Sequence, residues 1–174
     1  MSAIIDQTPT NRNFLSPLNF KFSIKKAPHV NFFIQKVNVP EIILKPPVSP
    51  NPFVNIPYPG DHIDYSTLEI TFKVDEDLQN YLEIHEWIKA LGKPKDFDEY
   101  KTIEEKKSWT GDGIYSDISV MILSSTKMAN FEVVYVDAHP VGLSGIVFNT
   151  TDPDVNYIEA SATFKYTYYD ISKI

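Results

Sequence analysis

Two stretches near opposite ends of the chain alternate apolar and polar residues strictly enough to specify strands with one buried face each. In residues 65–74, Leu68, Ile70, Phe72 and Val74 share one face, and Thr67, Glu69, Thr71 and Lys73 share the other. In residues 157–169, Ile158, Ala160, Ala162, Phe164, Tyr166 and Tyr168 oppose Glu159, Ser161, Thr163, Lys165, Thr167 and Tyr169. Successive side chains leave a pleated strand on opposite faces, so a period of two is the signature of a half-buried strand. Residues 19–25 repeat it, with Phe20, Phe22 and Ile24 against Lys21, Ser23 and Lys25.

The other segments carry weaker patterns. Residues 30–39 read as a second strand, irregular at Phe32-Phe33-Ile34 and so bulged or buried on both faces. Residues 115–123 and 131–136 read as strands, whereas 137–155 is rich in loop formers, with a turn expected near Pro140 and a short strand near 145–148. One helix is expected over 78–91. Leu78, Tyr81, Leu82, His85, Ile88 and Leu91 recur at spacings of three and four, with Ile84 and Trp87 beside them. Asp75-Glu76-Asp77 supplies carboxylates for the free N–H groups at its start, and Gly92 and Pro94 end it. Strands joined by turns rather than helices give antiparallel sheets. The fold class is therefore mainly β (α+β): an antiparallel β-sandwich or open barrel with one packed helix. Residues 1–16 read as a flexible arm, and 17–174 as a single domain carrying a long loop at 40–59 and an insertion at 93–113.

Seven of the 13 prolines lie within residues 40–59. Proline cannot donate to a central ladder, yet Ile42, Ile43, Leu44, Phe53, Val54 and Ile56 are too apolar for a solvated linker. The segment reads as an extended hairpin-like arm: 41–45 outward, 46–51 as the tip, 53–58 back. Ile42, Leu44, Pro46, Pro47, Pro50, Phe53 and Ile56 are its candidate contact residues. A loop packed over the core is the competing arrangement.

The chain offers little for chemistry. It has no Cys, which excludes disulfides and thiolate metal sites. His29, His62, His85 and His139 stand far apart in the chain, and no phosphate-loop, dinucleotide, zinc-protease or serine-hydrolase motif is present. His62 with Asp61 and Asp64 is the most metal-like group, but it reads better as a polar turn. No catalytic residue, cofactor or metal is expected, and no enzymatic activity. The net charge of −7 argues against nonspecific affinity for nucleic-acid phosphates. No apolar run approaches the roughly 18 residues needed to span a bilayer, and the first residues lack a secretion signal.

The order of elements from about 17 to 172 resembles the tail tube proteins of contractile-tailed bacteriophages. The residues that carry this likeness are Gly60-Asp61 before the strand at 68–74, the acidic cap Asp75-Glu76-Asp77, the helix bearing Trp87-Ile88, and the late strand at 156–169. The resemblance implies a structural virion protein that polymerises with itself as stacked hexameric rings. The rings form the inner tube of a phage tail, assembled in the host cytoplasm, through which genomic DNA passes without specific binding. It implies a tail sheath protein outside, with baseplate and terminator proteins at the ends. A helix on the side away from the lumen would offer Gln79, Glu83, Glu86 and Lys89 to the sheath. The long arm and the insertion leave room for a baseplate initiator, cap or terminator role, or for a tube protein of a related contractile injection system. A carbohydrate-binding β-sandwich, which exposed aromatics would suit, is a further alternative.

Overall fold

The computed structural model describes residues 13–92, 113–150 and 157–174. The arm expected at 1–16 lies mostly outside these residues, as does nearly all of the insertion at 93–113. The elements run β1 (Phe20–Ile24), α1 (Pro28–Phe33), β2 (Ile34–Val37), β3 (Ile42–Leu44), β4 (Val48–Ser49), β5 (Ile56–Pro57), β6 (Ile63–Tyr65), β7 (Leu68–Lys73), α2 (Gln79–Gly92), β8 (Ser116–Leu123), β9 (Ala129–Leu143), β10 (Glu159–Lys165) and β11 (Tyr168–Lys173). The main sheet is antiparallel and open, ordered β1-β8-β9-β10-β7-β2, with β11 also on β9. The fold is mainly β with two packed helices.

β9 replaces the strand, turn and short strand expected over 131–148. It is a single strand of 15 residues, with Pro140 inside it, and residues 144–150 form no strand. The reason is a change of phase. Val133 and Tyr135 are buried, and then Ala138 and Pro140. Between them Asp137 adopts φ 56, and the ladder to β8 shifts register opposite it. An extra residue at a bulge flips the alternation, so both halves of the strand bury side chains. A second shift in the ladder to β10 accommodates Pro140, which has no N–H to donate. The first half of β9 pairs with β8 and β11, the second half with β10. The expected last strand is correspondingly broken: at Tyr166-Thr167 the chain leaves β10 and begins β11, with the Thr167 N–H donating to the Val136 carbonyl at 3.0 Å.

Residues 30–39 are not one strand. Pro28 opens α1, where its fixed φ suits a first helical turn. Asn31 then closes a reciprocal pair with the backbone of Ile24, at 2.9 and 3.1 Å, and ties α1 to the end of β1. Only from Ile34 is the chain extended.

The helix α2 presents a different face from the expected one. Asn80, Ile84, Trp87 and Ala90 are buried, while Tyr81, Ile88 and Leu91 are partly buried against the core. Leu82 is 45% exposed and His85 lies in solvent. Trp87 decides the rotation. Its ring packs 6.1 Å from that of Phe164, and its indole N–H donates to the Ile114 carbonyl at 3.1 Å. Asn80 is polar and still fully buried, because its amide donates to the Lys73 carbonyl at 2.7 Å and its oxygen accepts the Asp75 N–H at 3.4 Å. Asp75 in turn accepts the Asn80 N–H at 3.4 Å, which is the capping role expected of the acidic cluster.

One hydrophobic cluster joins these pieces. It takes Phe22 and Ile24 from β1, Leu68, Ile70 and Phe72 from β7, Ile118 and Val120 from β8, Val133 and Tyr135 from β9, Phe164 from β10, and Ile84 and Trp87 from α2. Removing Trp87 or Ile84 opens a cavity. Ile84→Ala is expected to cost about 2–5 kcal/mol and Trp87→Ala about 3–5, against about 0.5 for Leu82→Ala. Urea unfolding measures all three; a larger loss at Leu82 would restore the helix face read from the sequence.

Candidate functional site

The arm is a long two-stranded ribbon. Ile42, Ile43 and Leu44 pair with Tyr65, Asp64 and Ile63, and farther out Val48 and Ser49 pair with Pro57 and Ile56. The hairpin expected from the sequence is present, but it is longer. The tip lies between Ser49 and Ile56, and the returning leg runs through Gly60-Asp61 to Tyr65 instead of ending near Tyr58. The two ladders differ in register by two residues. Gly60 fills the irregular stretch, where a Cβ would lie 2.2 Å from the Lys45 carbonyl oxygen. Only glycine permits that approach.

Every residue from Glu41 to Pro59 is exposed. Ile42, Leu44 and Phe53 are 50%, 49% and 95% accessible, and Pro46, Pro47, Pro50 and Ile56 are exposed with them. Residues 46–60 contain no charged side chain. On the inner half of the ribbon Lys45 pairs with Asp64 and holds its carboxyl below the ordinary carboxylate range. His62 Nε2 lies 3.4 Å from the same carboxylate. Among the described residues, no group of three His, Asp or Glu could hold a metal.

On α2, Gln79 and Glu86 are exposed and Lys89 is half-buried. Glu83, which the sequence places outward, is half-buried against α1: its Oε1 lies 2.5 Å from His29 Nδ1, and its Oε2 accepts the His29 backbone N–H at 3.2 Å. This pair joins the two helices. Elsewhere, among the described residues, β1, β2 and β11 each have a single partner strand and so a free edge. Phe14, Phe32, Val147 and Phe148 are exposed apolar residues that the sequence gives no reason to single out. No helix of the described residues is long and apolar enough to cross a membrane.

No protein-family model and no curated protein matches this sequence. Solved structures do. A chain of the tube-terminating cap of the anti-feeding prophage superposes with TM-score 0.64 at 12% identity, over 99% of this chain and 99% of that one. A chain of the extended sheath–tube complex of an extracellular contractile injection system, PVC, gives 0.59 at 11% identity, over 99% and 100%. The chain has the contractile tail-tube fold. Hcp1 from Flavobacterium johnsoniae shares it at 0.51 and 11% identity, over 92% of this chain and 98% of that one. At these identities the tail-tube fold is what the likeness establishes.

Two measurements probe the site. Gly60→Ala is expected to unpair β3 from β6 and speed amide exchange at Ile43 and Asp64. The urea midpoint of the core should hold, since Tyr65 at the base is the ribbon's contribution to the core and lies inward of Gly60. For His29, the hydrogen bond to Glu83 and its negative charge raise the imidazole pKa above 6.5. A raised folded-state pKa stabilises the charged form, so this contribution is complete below about 6.5 and fades as pH rises through the higher folded value. NMR titration of His29 should show the raised midpoint, and Glu83→Gln should return it towards 6.5; an unshifted wild-type midpoint would mean the pair does not persist in solution.

Proposed function

We propose that this chain is a structural, non-catalytic subunit of a contractile tail or injection system. It polymerises with itself as stacked hexameric rings, forming an inner tube through which cargo is delivered, genomic DNA where the particle is a phage. A sheath packs around the tube, on the side where α2 presents Gln79, Glu86 and Lys89. Baseplate and terminator proteins meet its ends. The subunits are assembled in the producing cell and act in the virion or extracellular particle.

The observation that carries this reading is the arm. A shared fold supplies a scaffold, but a ribbon whose outer part, residues 46–60, is uncharged and rich in apolar side chains held in solvent calls for a partner surface. The overlap with components of contractile particles, over 99% of this chain, supports the same reading. Ring closure would also pair the free edges of β1, β2 or β11, which otherwise invite uncontrolled association. A tube-ending cap is a second reading, since a component of such a cap is among the structures on which this chain superposes.

Negative-stain microscopy of the concentrated protein should show rings or tubes. Replacing residues 46–59 with a short Asn-Gly turn should leave the circular dichroism and urea midpoint unchanged while abolishing polymers. Discrete rings that never elongate would favour the cap. Monomers at every concentration and salt would contradict both readings, and unfolding of the shortened chain would make the arm part of the core.

A further inference from the structure

Among the described residues, the arm's hydrogen bonds and ring contacts to the rest of the fold lie at its root, and the root is built from tyrosines. Tyr166 Oη donates to the carbonyl of Ser66, just after the returning strand, at 2.8 Å. Tyr169 Oη donates to the carbonyl of Pro40, just before the outgoing strand, at 3.1 Å. Tyr65, the last residue of β6, places its ring 5.9 Å from that of Tyr166 and 5.6 Å from that of Tyr169. Tyr135, fully buried, backs both from below at 5.1 and 5.4 Å. The Ser66 N–H donates to the Glu41 carbonyl at 3.1 Å and closes the ribbon between the two anchors. Pro40 is buried, and every residue from Glu41 to Pro59 is exposed.

A ribbon whose residues from Glu41 to Pro59 are all exposed takes its direction from its ends. Two hydroxyls bind the two legs separately, so together they oppose rotation as well as translation of the hairpin. Both belong to the corner where β10 gives way to β11, so the ribbon is referenced to the bend of the sheet. Burial, with the neighbouring Tyr169 and Tyr65, pushes the Tyr166 hydroxyl up to about 12. It therefore remains a protonated donor at any ordinary pH.

We propose that Tyr65, Tyr135, Tyr166 and Tyr169 form an aromatic clamp whose two hydroxyl anchors fix the direction of the arm in the free subunit. They are positioning residues: they present the arm already oriented to a second copy of the chain, so that little freedom remains to be lost on docking. Its use in assembly rests on the tube reading above; the clamp itself does not.

The absence of native Cys allows a direct test in the full chain. Spin labels at Asn51→Cys on the tip and Lys21→Cys on β1 report the tip-to-body distance in dilute monomer. The parent should give one narrow distribution. Tyr166→Phe with Tyr169→Phe keeps both rings and removes both anchors, and it should widen the distribution at least twofold. Tyr168→Phe, the same chemical change on an exposed neighbour, should leave it unchanged. If the double variant does not fold, Tyr169→Phe alone, at a half-buried position, carries the comparison. Equal widths in parent and variant, or equal broadening by Tyr168→Phe, would overturn the clamp. The concentration at which light scattering rises should increase about fivefold per lost hydroxyl, the factor for one ordinary hydrogen bond. If the parent itself never scatters, the tube reading fails while the distance measurement still decides the clamp.

Discussion

The phase change in β9 is the constraint on which the rest depends. A strand of 15 residues with unbroken alternation would bury one set of side chains along its first half, and keep burying the same parity along its second. Here that would turn Ala138 and Pro140 outward and bring Asp137 and His139 inward, because a slip of one residue exchanges the two faces. The bulge at Asp137 prevents this. A short polar side chain tolerates the left-handed conformation better than a branched one, and its Oδ2 accepts the Thr167 hydroxyl at 3.4 Å across the break between β10 and β11. Both strands of this central ribbon thus change course at the same level. One core can then receive residues from β1 and β8 on one side and from β7 and β10 on the other.

The helices and the arm are placed by that corner. Phe164, just before the break, is the ring on which Trp87 packs, so the corner also sets how α2 is rotated. Tyr166 and Tyr169, on either side of the break, hold the two legs of the arm. The ion pair between His29 and Glu83 adds a tie between α1 and α2, but it is exposed and worth little beside the burial of Trp87. The architecture is consequently set by packing around one bend, with polar contacts locking elements already brought together.

This explains which parts of the fold were legible in the sequence. β1, β7 and β10 have one buried face and no bulge inside the alternating run, so a period of two identifies them directly. The existence of α2 was equally plain, but its face was not. Asn80 occupies a core position through hydrogen bonds that no hydropathy pattern reveals, and Leu82 is left outside because Trp87 governs the fit. β9 was hidden by its own bulge and by a proline that looks like a stop. α1 was hidden because six residues are too few to establish a helical period. The arm was legible in kind, since prolines among aliphatic residues exclude both a core strand and a solvated linker. Its register was not, because that depends on the approach of Gly60 to the Lys45 backbone. The tyrosine root was invisible, since Tyr65 and Tyr166 meet only through contacts of long sequence separation.

The composition of the arm also bears on why an exposed apolar ribbon need not aggregate. A sheet edge recruits further strands through its free N–H and C=O groups. Pro46, Pro47, Pro50, Pro52, Pro57 and Pro59 lack the N–H, and the two ladders of the arm are only three and two residues long. The ribbon can therefore offer side chains to a partner without offering a template for strand addition. The main sheet protects its free edges by another route, with Lys21 on β1, Lys36 on β2 and Lys173 on β11. Bringing such edges together places lysines near one another unless a facing strand supplies carboxylates, so indiscriminate pairing is opposed. Backbone association is thus restricted to complementary edges, and side-chain association to whatever surface fits the arm.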